Sequence, residues 1–385
     1  MRICVLYDCL FPYTVGGAER WYRNLAQRLA DGGHEVTYLT LRQWPRGELG
    51  EVPGVRVVPV GPRMGLYAAG GRRRIAPPLV FGLGVLAHLL RHGRRYDVVH
   101  TASFPYFSLL AAAAVRRLGG FGLVVDWHEV WSREYWLEYL GGAGGRAGLL
   151  VQALCLRVPQ RAFCFSRLHE RRLRDGGVRG EVTVLEGEYA GSLEPAEPAE
   201  ASRAVVFAGR HIPEKQVPAL VPAIAEARRS LPGLRGIVFG DGPERPEVLR
   251  LRAELGLEDA IDVPGFAPLE NVERELRHAL CMVLPSRREG YGLVVIESAS
   301  QGTPVVVVAG PDNAAAELVS EGENGYVAAS AAPADLAAAI ARVDEAGPAL
   351  RRSTADWFAR NARRLSLGRS LETVLEAYDG ASARR

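Results

Sequence analysis

Short runs of β-branched and apolar residues alternate with amphipathic stretches along the whole chain, the pattern expected of parallel βαβ units. RICVLY at 2–7 predicts a first strand. A loop to Gly17 follows, then a helix over 18–30 stopped by Gly32 and Gly33, and a second strand in EVTYLT. Further strands are expected at VRVVPV (55–60), DVVHT (97–101), LVVDW (123–127) and RAFCFS (161–166). AGSLEPAEPAEASR, 190–203, is rich in Pro, Ala and Glu and reads as a linker. A second series then begins with RAVVFAG (203–209), RGIVFGDG (235–242), IDVPGF (261–266), ALCMVLPS (279–286) and TPVVVVAG (303–310). These runs are almost continuously apolar, as strands are when helices cover both faces of a parallel sheet. The expected fold class is therefore α/β, with two doubly wound parallel-sheet domains at 1–189 and 204–364. Trp357, Phe358, Leu365, Leu371, Val374, Leu375 and Tyr378 recur at helical spacing, and a closing helix, 365–385, is expected to join the first domain.

The 385 residues suffice for two domains, and 48% hydrophobic with 24% charged content is that of a soluble globular protein. The net charge of +3 conceals an asymmetry: residues 1–188 carry +9 and the remainder −6. A basic half suits an anionic partner such as a lipid headgroup or a phosphorylated acceptor, and a solvated surface explains it equally. No nucleic-acid partner is expected. The cysteines at 4, 9, 155, 164 and 281 are odd in number and form no CxxC pair, so neither a disulfide framework nor a zinc site is indicated. MRICVLYD reaches Asp8 too early for a signal peptide, and a cytoplasmic location is expected, with peripheral attachment to the inner face of a membrane as an option. That option rests on the basic N-terminal half, in which PPLVFGLGVLAHLL, 77–90, preceded by Arg72, Arg73 and Arg74, reads either as a core helix or as a helix at a membrane surface.

Of 47 basic residues only one, Lys215, is lysine, and it stands in AVVFAGRHIPEKQV, where an apolar strand breaks at a glycine. An ammonium at such a junction, beside Arg210, suits a phosphate. In PSRREGYGLVVIESASQGTPVVV, Glu289 precedes Gly290, Tyr291 and Gly292, which open a helix from Leu293 that carries Glu297. Glycines at a helix start let backbone N–H groups approach an anion that the helix dipole favours. Side chains lean toward the helix N-terminus, so Glu297 is expected to aim its carboxylate at the bound group and to accept hydrogen bonds from vicinal hydroxyls such as those of a ribose. Glu289 is expected to reach another part of the same ligand, and Arg210 and Lys215 its phosphates.

EGYGLVVIESASQGTPVVV resembles the donor-binding signature of family 4 retaining glycosyltransferases, which have the GT-B fold of two Rossmann-like domains facing a central cleft. AGRHIPEK resembles that family's diphosphate motif, IVFGDGPE the following strand and loop, and DVPGF, with Phe266, the loop near the nucleotide base. The likeness is dense over 203–330 and looser before it. FPYTVGGAER resembles the glycine-rich loop of the acceptor domain, with Gly16 and Gly17 near the donor phosphates and sugar, and His128 in VVDWHEV resembles the histidine presented to the donor sugar.

The resemblance implies transfer of a hexosyl unit from a UDP- or GDP-sugar to a hydroxyl acceptor, with retention of configuration. The acceptor would be a glycan, a lipid-linked glycan or a small molecule. Glu297 would hold the ribose and Glu289 the sugar hydroxyls, while Arg210 and Lys215 would stabilise the departing diphosphate. Glu289, His128, Lys215 and Arg210 are the implied catalytic residues. Gly290, Tyr291, Gly292, Leu293 and Phe266 would complete the donor site. Gln216 stands where the family often has glycine, and LEGEY at 185–189 replaces its usual interdomain turn.

His100 is a second candidate histidine. Trp127, Trp131, Tyr135, Trp136 and Tyr139 read either as a cleft lining or as core. A nucleotide-sugar 2-epimerase on the same scaffold is the alternative, and a NAD-dependent oxidoreductase is a weaker one. The latter needs a glycine fingerprint directly after the first strand and an acidic residue ending the second, where the chain has Thr40-Leu41-Arg42. No cofactor and no metal are expected, because no Asp-x-Asp pair ends a strand and no His/Cys cluster has ligand spacing.

Overall fold

The computed structural model describes residues 1–45, 47–48, 50–66, 73–197 and 199–382. They form two compact units, the first built from the described residues up to 186 and from 368 onward, the second from those between 187 and 367.

The first unit is organised on β1 (Arg2–Leu6), β2 (Glu35–Leu41), β3 (Val55–Gly61), β4 (Val98–Ala102), β5 (Gly122–Trp127), β6 (Arg161–Cys164) and β7 (Val182–Val184). All are parallel, in the order β3-β2-β1-β4-β5-β6-β7, with Ile3 opposite both Val36 and Val98. The second unit adds β8 (Ala204–Ala208), β9 (Arg235–Phe239), β10 (Ile261–Gly265), β11 (Cys281–Leu284), the two-residue β12 (Arg288–Glu289), β13 (Val305–Val308), the two-residue β14 (Asp312–Asn313) and β15 (Gly325–Ala328). Its sheet runs β10-β9-β8-β11-β13-β15, and β12 pairs with β14 beside it. β11 and β13 are buried along their whole length, which is why CMVL and VVVV show no polar alternation.

Periodicity located the first helix and most strands, whereas the helical spacing from Trp357 to Tyr378 falls on two helices, Pro333–Leu365 and Leu367–Ser382, parted at Ser366. The first helix, Gly17–Asp31, buries Trp21, Tyr22, Leu25, Ala26 and Leu29 on one face and ends at Gly32, followed by Gly33 at φ 80°. β7 (VTV) and β15 (GYVA) escaped the hydrophobic pattern because they are short and largely half-buried, so they carry no continuous apolar run. The last helix, Leu367–Ser382, returns to the first sheet, where Tyr378 Oη bonds His100 Nδ1 at 2.5 Å and Arg161 donates to the Ala377 carbonyl at 3.1 Å.

In both sheets the order reverses once, between β1 and β4 and between β8 and β11. Helices leave such a point on opposite faces, so a crevice opens beyond the carboxyl ends of the two strands. Among the described residues, no helix is long and apolar enough to cross a membrane.

Candidate active site

At the reversal point of the second sheet, the loop after β8 meets the loop after β11. The first carries Lys215 at the end of a single 3-10 turn, Pro213–Lys215, and the chain leaves it through Gln216 in the left-handed region at φ 49°, ψ 37°. The Lys215 ammonium donates to Glu289 Oε1, and the Ser286 hydroxyl donates to the same oxygen at 2.8 Å. Glu289 is 8% exposed. Its backbone is held by the pairing of β12 with β14, opposite Asn313. The Asn313 amide in turn donates to the carbonyls of Ser286 and Val308, both at 2.8 Å, and its oxygen accepts from Ala315 N at 3.1 Å. Arg287 N donates to the Glu214 carbonyl at 3.1 Å, lacing the two loops together. The sequence pointed Lys215 and Glu289 at different parts of one ligand; in the structure they are each other's partners.

Gly292 stands at φ 102° before the helix Leu293–Ser300, and a Cβ there would come within 2.5 Å of Ala315 Cβ. Both the dihedral and the close approach require glycine. No side chain caps this helix, so the amides at its start have no side-chain acceptor. Tyr291 is buried and its hydroxyl accepts from Glu188 N at 3.3 Å, which anchors the loop. Gly290, Leu293 and Glu297 are half-buried.

Arg210 is exposed and makes no ion pair among the described residues. His211 beside it is buried, its Nε2 facing the Phe239 carbonyl at 3.4 Å, and burial lowers its pKa so that it stays neutral near pH 7. A Cβ at Gly240 would lie 1.8 Å from the Gly209 carbonyl, so the GDG loop presses directly on the backbone that carries Arg210. Phe266, after β10, is 71% exposed. A recess of about 400 Å³ lies beside these loops, lined in part by Gln216, Arg287, Gly310 and Ser330. Arg210, Lys215, Phe266, Glu289 to Leu293 and Glu297 therefore all stand at the carboxyl edge of one sheet. Ser286, which bonds the Glu289 carboxylate, and Asn313, which pairs with its backbone and bonds the Ser286 carbonyl, were not legible as site residues, because their roles lie in contacts that the folded loops make.

Gly16, Gly17 and His128 belong to the first unit. A Cβ at Gly16 would lie 2.3 Å from the Glu19 carboxylate, which folds back over the helix start, whereas Gly17 has open space beside it. His128 follows β5 and stacks on Phe165 with ring centroids 4.4 Å apart. Burial lowers its pKa to about 4, against the raising influence of Asp126. His100 is wholly buried, its Nε2 lying 2.7 Å from Asp126 Oδ1 and its Nδ1 on Tyr378. That places it inside the sheet-to-helix packing. Trp21 Nε1 donates to the other Asp126 oxygen at 2.7 Å.

Trp127, Tyr135 and Trp136 are core, whereas Trp131 and Tyr139 are half-exposed. Gln152 Oε1 accepts from Tyr106 Oη, Trp131 N and Trp136 Nε1. In the arginine run, Arg73 is bonded to buried Asp8 and lies over the Phe104 ring at 5.1 Å, Arg74 is exposed, and Arg72 lies outside the described residues. Among the described residues no group of three or more His, Cys, Asp or Glu side chains is gathered as a metal site.

The profile described as "Glycosyl transferases group 1" matches residues 193–364, and that described as "Glycosyl transferase 4-like domain" matches residues 16–187. A D-inositol 3-phosphate glycosyltransferase of Thermomonospora curvata is 34% identical over 186 residues, 46% of this chain and 42% of that protein. The chain thus spans less than half the length of that curated relative in the match. Among solved structures, a sucrose-phosphate synthase from Thermosynechococcus elongatus superposes with a TM-score of 0.80 at 21% identity, covering 100% of both chains. Anabaena HepE in complex with UDP-glucose gives a TM-score of 0.77 at 18% identity, covering 99% of this chain and 100% of that one. With paired profiles over both halves and this architecture, the chain belongs to glycosyltransferase family 4 and has the GT-B fold.

Proposed function

We propose that the protein transfers a hexosyl unit from a nucleoside diphosphate sugar, UDP- or GDP-linked, to a hydroxyl acceptor with retention of configuration. The observation that carries this reading is the Lys215–Glu289 pair at the reversal point of the second sheet, beside an uncapped helix N-terminus. A diphosphate there meets the ammonium of Lys215, the exposed guanidinium of Arg210 and the amides at Leu293. These donors stabilise the negative charge that grows on the leaving group, without a divalent ion. Engagement of Lys215 by phosphate opens an acceptor position on Glu289 Oε1 for sugar hydroxyls, while the Ser286 hydroxyl on that oxygen and the β12–β14 pairing keep the carboxylate in place. Glu297 is assigned the ribose hydroxyls and Phe266 the neighbourhood of the base. Gly16, Gly17 and His128 keep the roles that the family resemblance implies.

The solved relative that holds UDP-glucose supports a nucleotide-sugar donor. The acceptor class is proposed as glycan, lipid-linked glycan or small molecule. A cytoplasmic location is part of the proposal, supported by five cysteines that are all buried thiols.

The deciding experiment is a thermal-shift panel with UDP, GDP, ADP, dTDP and NAD⁺, since a ligand that binds only the folded state raises the melting temperature. A shift with one nucleoside diphosphate that vanishes in Glu297→Ala is the expected result and names the base. A shift with NAD⁺ alone would overturn the reading.

A further inference from the structure

The helix Ala76–His92 is split lengthwise. One face is packed: Phe81, Val85 and Leu89 are buried, Gly82 abuts Phe107, and Gly84 meets the Val60 carbonyl. Along the other face run Ile75, Leu79, Leu83 and Leu90, exposed by 60, 42, 67 and 59%. Their spacing of four, four and seven residues puts them on one stripe. Leu118, 64% exposed, extends the stripe at the far end, where its carbonyl accepts from Arg94 Nε at 3.3 Å. Isolated exposed leucines are ordinary; a continuous row on one helix is not.

The rim of this row has one sign. Between Glu51 and Asp126 the chain has ten arginines and a single carboxylate, Asp97, which is paired with Arg2 at 3.1 Å. Exposed Arg74 stands at the start of the helix, and exposed Arg91, Arg94, Arg95 and Arg117 at its end. The field is felt by His88 on the same helix: its pKa falls to about 4, first through burial and then through His92, Arg56 and Arg95.

We infer that this face of the first unit docks in the plane of an anionic phospholipid bilayer, with the leucine stripe at the headgroup–acyl boundary and the arginines on lipid phosphates. A 17-residue helix with basic ends suits lying at the interface, whereas spanning takes about 20 apolar residues. Two-fold self-association through this face would set arginine rim against arginine rim, which is repulsive. The inference is independent of the transferase reading and survives its failure.

The test is co-sedimentation with vesicles of phosphatidylcholine alone and of phosphatidylcholine with phosphatidylglycerol in equal parts. Binding is expected to be at least roughly tenfold stronger on the anionic vesicles and to weaken with salt. Leu79→Ser/Leu83→Ser and Arg91→Glu/Arg94→Glu are each expected to lower it by about tenfold or more, with unchanged melting temperatures, while Arg229→Glu on the second unit leaves it as it was. Equal binding to both vesicle types, or binding indifferent to both variant pairs, would overturn the inference. So would a dimer in sedimentation velocity that Leu79→Ser/Leu83→Ser dissociates, found without lipid binding, since the stripe would then be a face for a second copy.

Discussion

The Lys215 ammonium is bonded to the Glu289 carboxylate across the point where the strand order of the second sheet reverses, and both side chains are largely buried, 21 and 9% exposed. Removing one partner of such a pair leaves the other charge stranded. Glu289→Gln is expected to lower kcat by about 100-fold or more with donor KM little changed, and Lys215→Ala to lower kcat/KM by about 100- to 1000-fold. Arg74→Ala, at an exposed arginine, should change kcat/KM by less than about threefold. Arg73 is no neutral control, because it neutralises buried Asp8. Steady-state kinetics decide: full kcat in Glu289→Gln at saturating donor would remove Glu289 from the chemistry, and equal losses at Lys215 and Arg74 would leave Lys215 no special role.

Glu297→Ala separates binding from turnover. A carboxylate that accepts from two ribose hydroxyls contributes about 1.5–3 kcal/mol, so donor Kd should rise about 10- to 100-fold. Saturating kcat should stay within a few-fold. Titration calorimetry with the nucleoside diphosphate measures the first quantity, and an unchanged Kd would assign the ribose elsewhere.

Gln216 is the one non-glycine with positive φ among the described residues, directly after Lys215. An L side chain in the left-handed region costs about 1 kcal/mol or more, partly offset by the extra freedom that glycine has when unfolded. Gln216→Gly is expected to raise the melting temperature of the second unit by about 2–4 °C. Gln216→Val should lower it. A glycine variant that melts earlier than the parent would show that the side chain contributes more than its backbone strain removes.

Acid should destabilise the first unit through its histidines. Folded pKa values of about 4 for His128 and about 3 for His169 lie below the ordinary 6.5, in each case chiefly because burial disfavours the imidazolium. Between the two values the unfolded chain binds protons that the folded chain refuses. The stability contribution is complete above pH 6.5 and is lost as pH falls toward 4, at about 1.4 kcal/mol per unit for each histidine. Urea unfolding at pH 7 and pH 5 should show the loss, and His128→Gln should make the slope shallower. Identical slopes in parent and variant would mean that His128 is not the group that titrates.

Tyr378 ties the last helix to the centre of the first sheet through His100 and Asp126. Tyr378→Phe keeps the ring and removes the hydroxyl, leaving a buried imidazole nitrogen without its partner, at a cost of about 1–3 kcal/mol. Asp126→Asn should cost more, since the Trp21 bond is weakened as well. Chemical denaturation followed by tryptophan fluorescence reads both. A Tyr378→Phe variant as stable as the parent would show that apolar packing alone holds the helix.

Much of the architecture was legible because burial on both faces forces β11 and β13 to be apolar throughout, and because Gly32 and Gly33 mark where the first helix must stop. The residues assigned to the proposed donor site carry marks of a related kind. Gly292 needs positive φ and room against Ala315, and a lone lysine at a strand end is conspicuous among arginines. Ser286 and Asn313 carried no such mark. A serine or asparagine in a loop has many uses: the fold of the loop after β11 brings the Ser286 hydroxyl onto the Glu289 carboxylate, and the pairing of β12 with β14 sets Asn313 against the Glu289 backbone.

His100 shows the same boundary from the other side. In sequence it ends a strand like any exposed site histidine, yet Tyr378, 278 positions away, lands on it and makes it part of the packing. Periodicity and residue type determined the two parallel sheets and the order of their elements along the chain, because these depend on local conformation and on burial of each segment. Which polar groups pair, which arginine is neutralised and which leucines remain uncovered were decided only by the tertiary structure, because those outcomes depend on contacts between segments far apart in the chain.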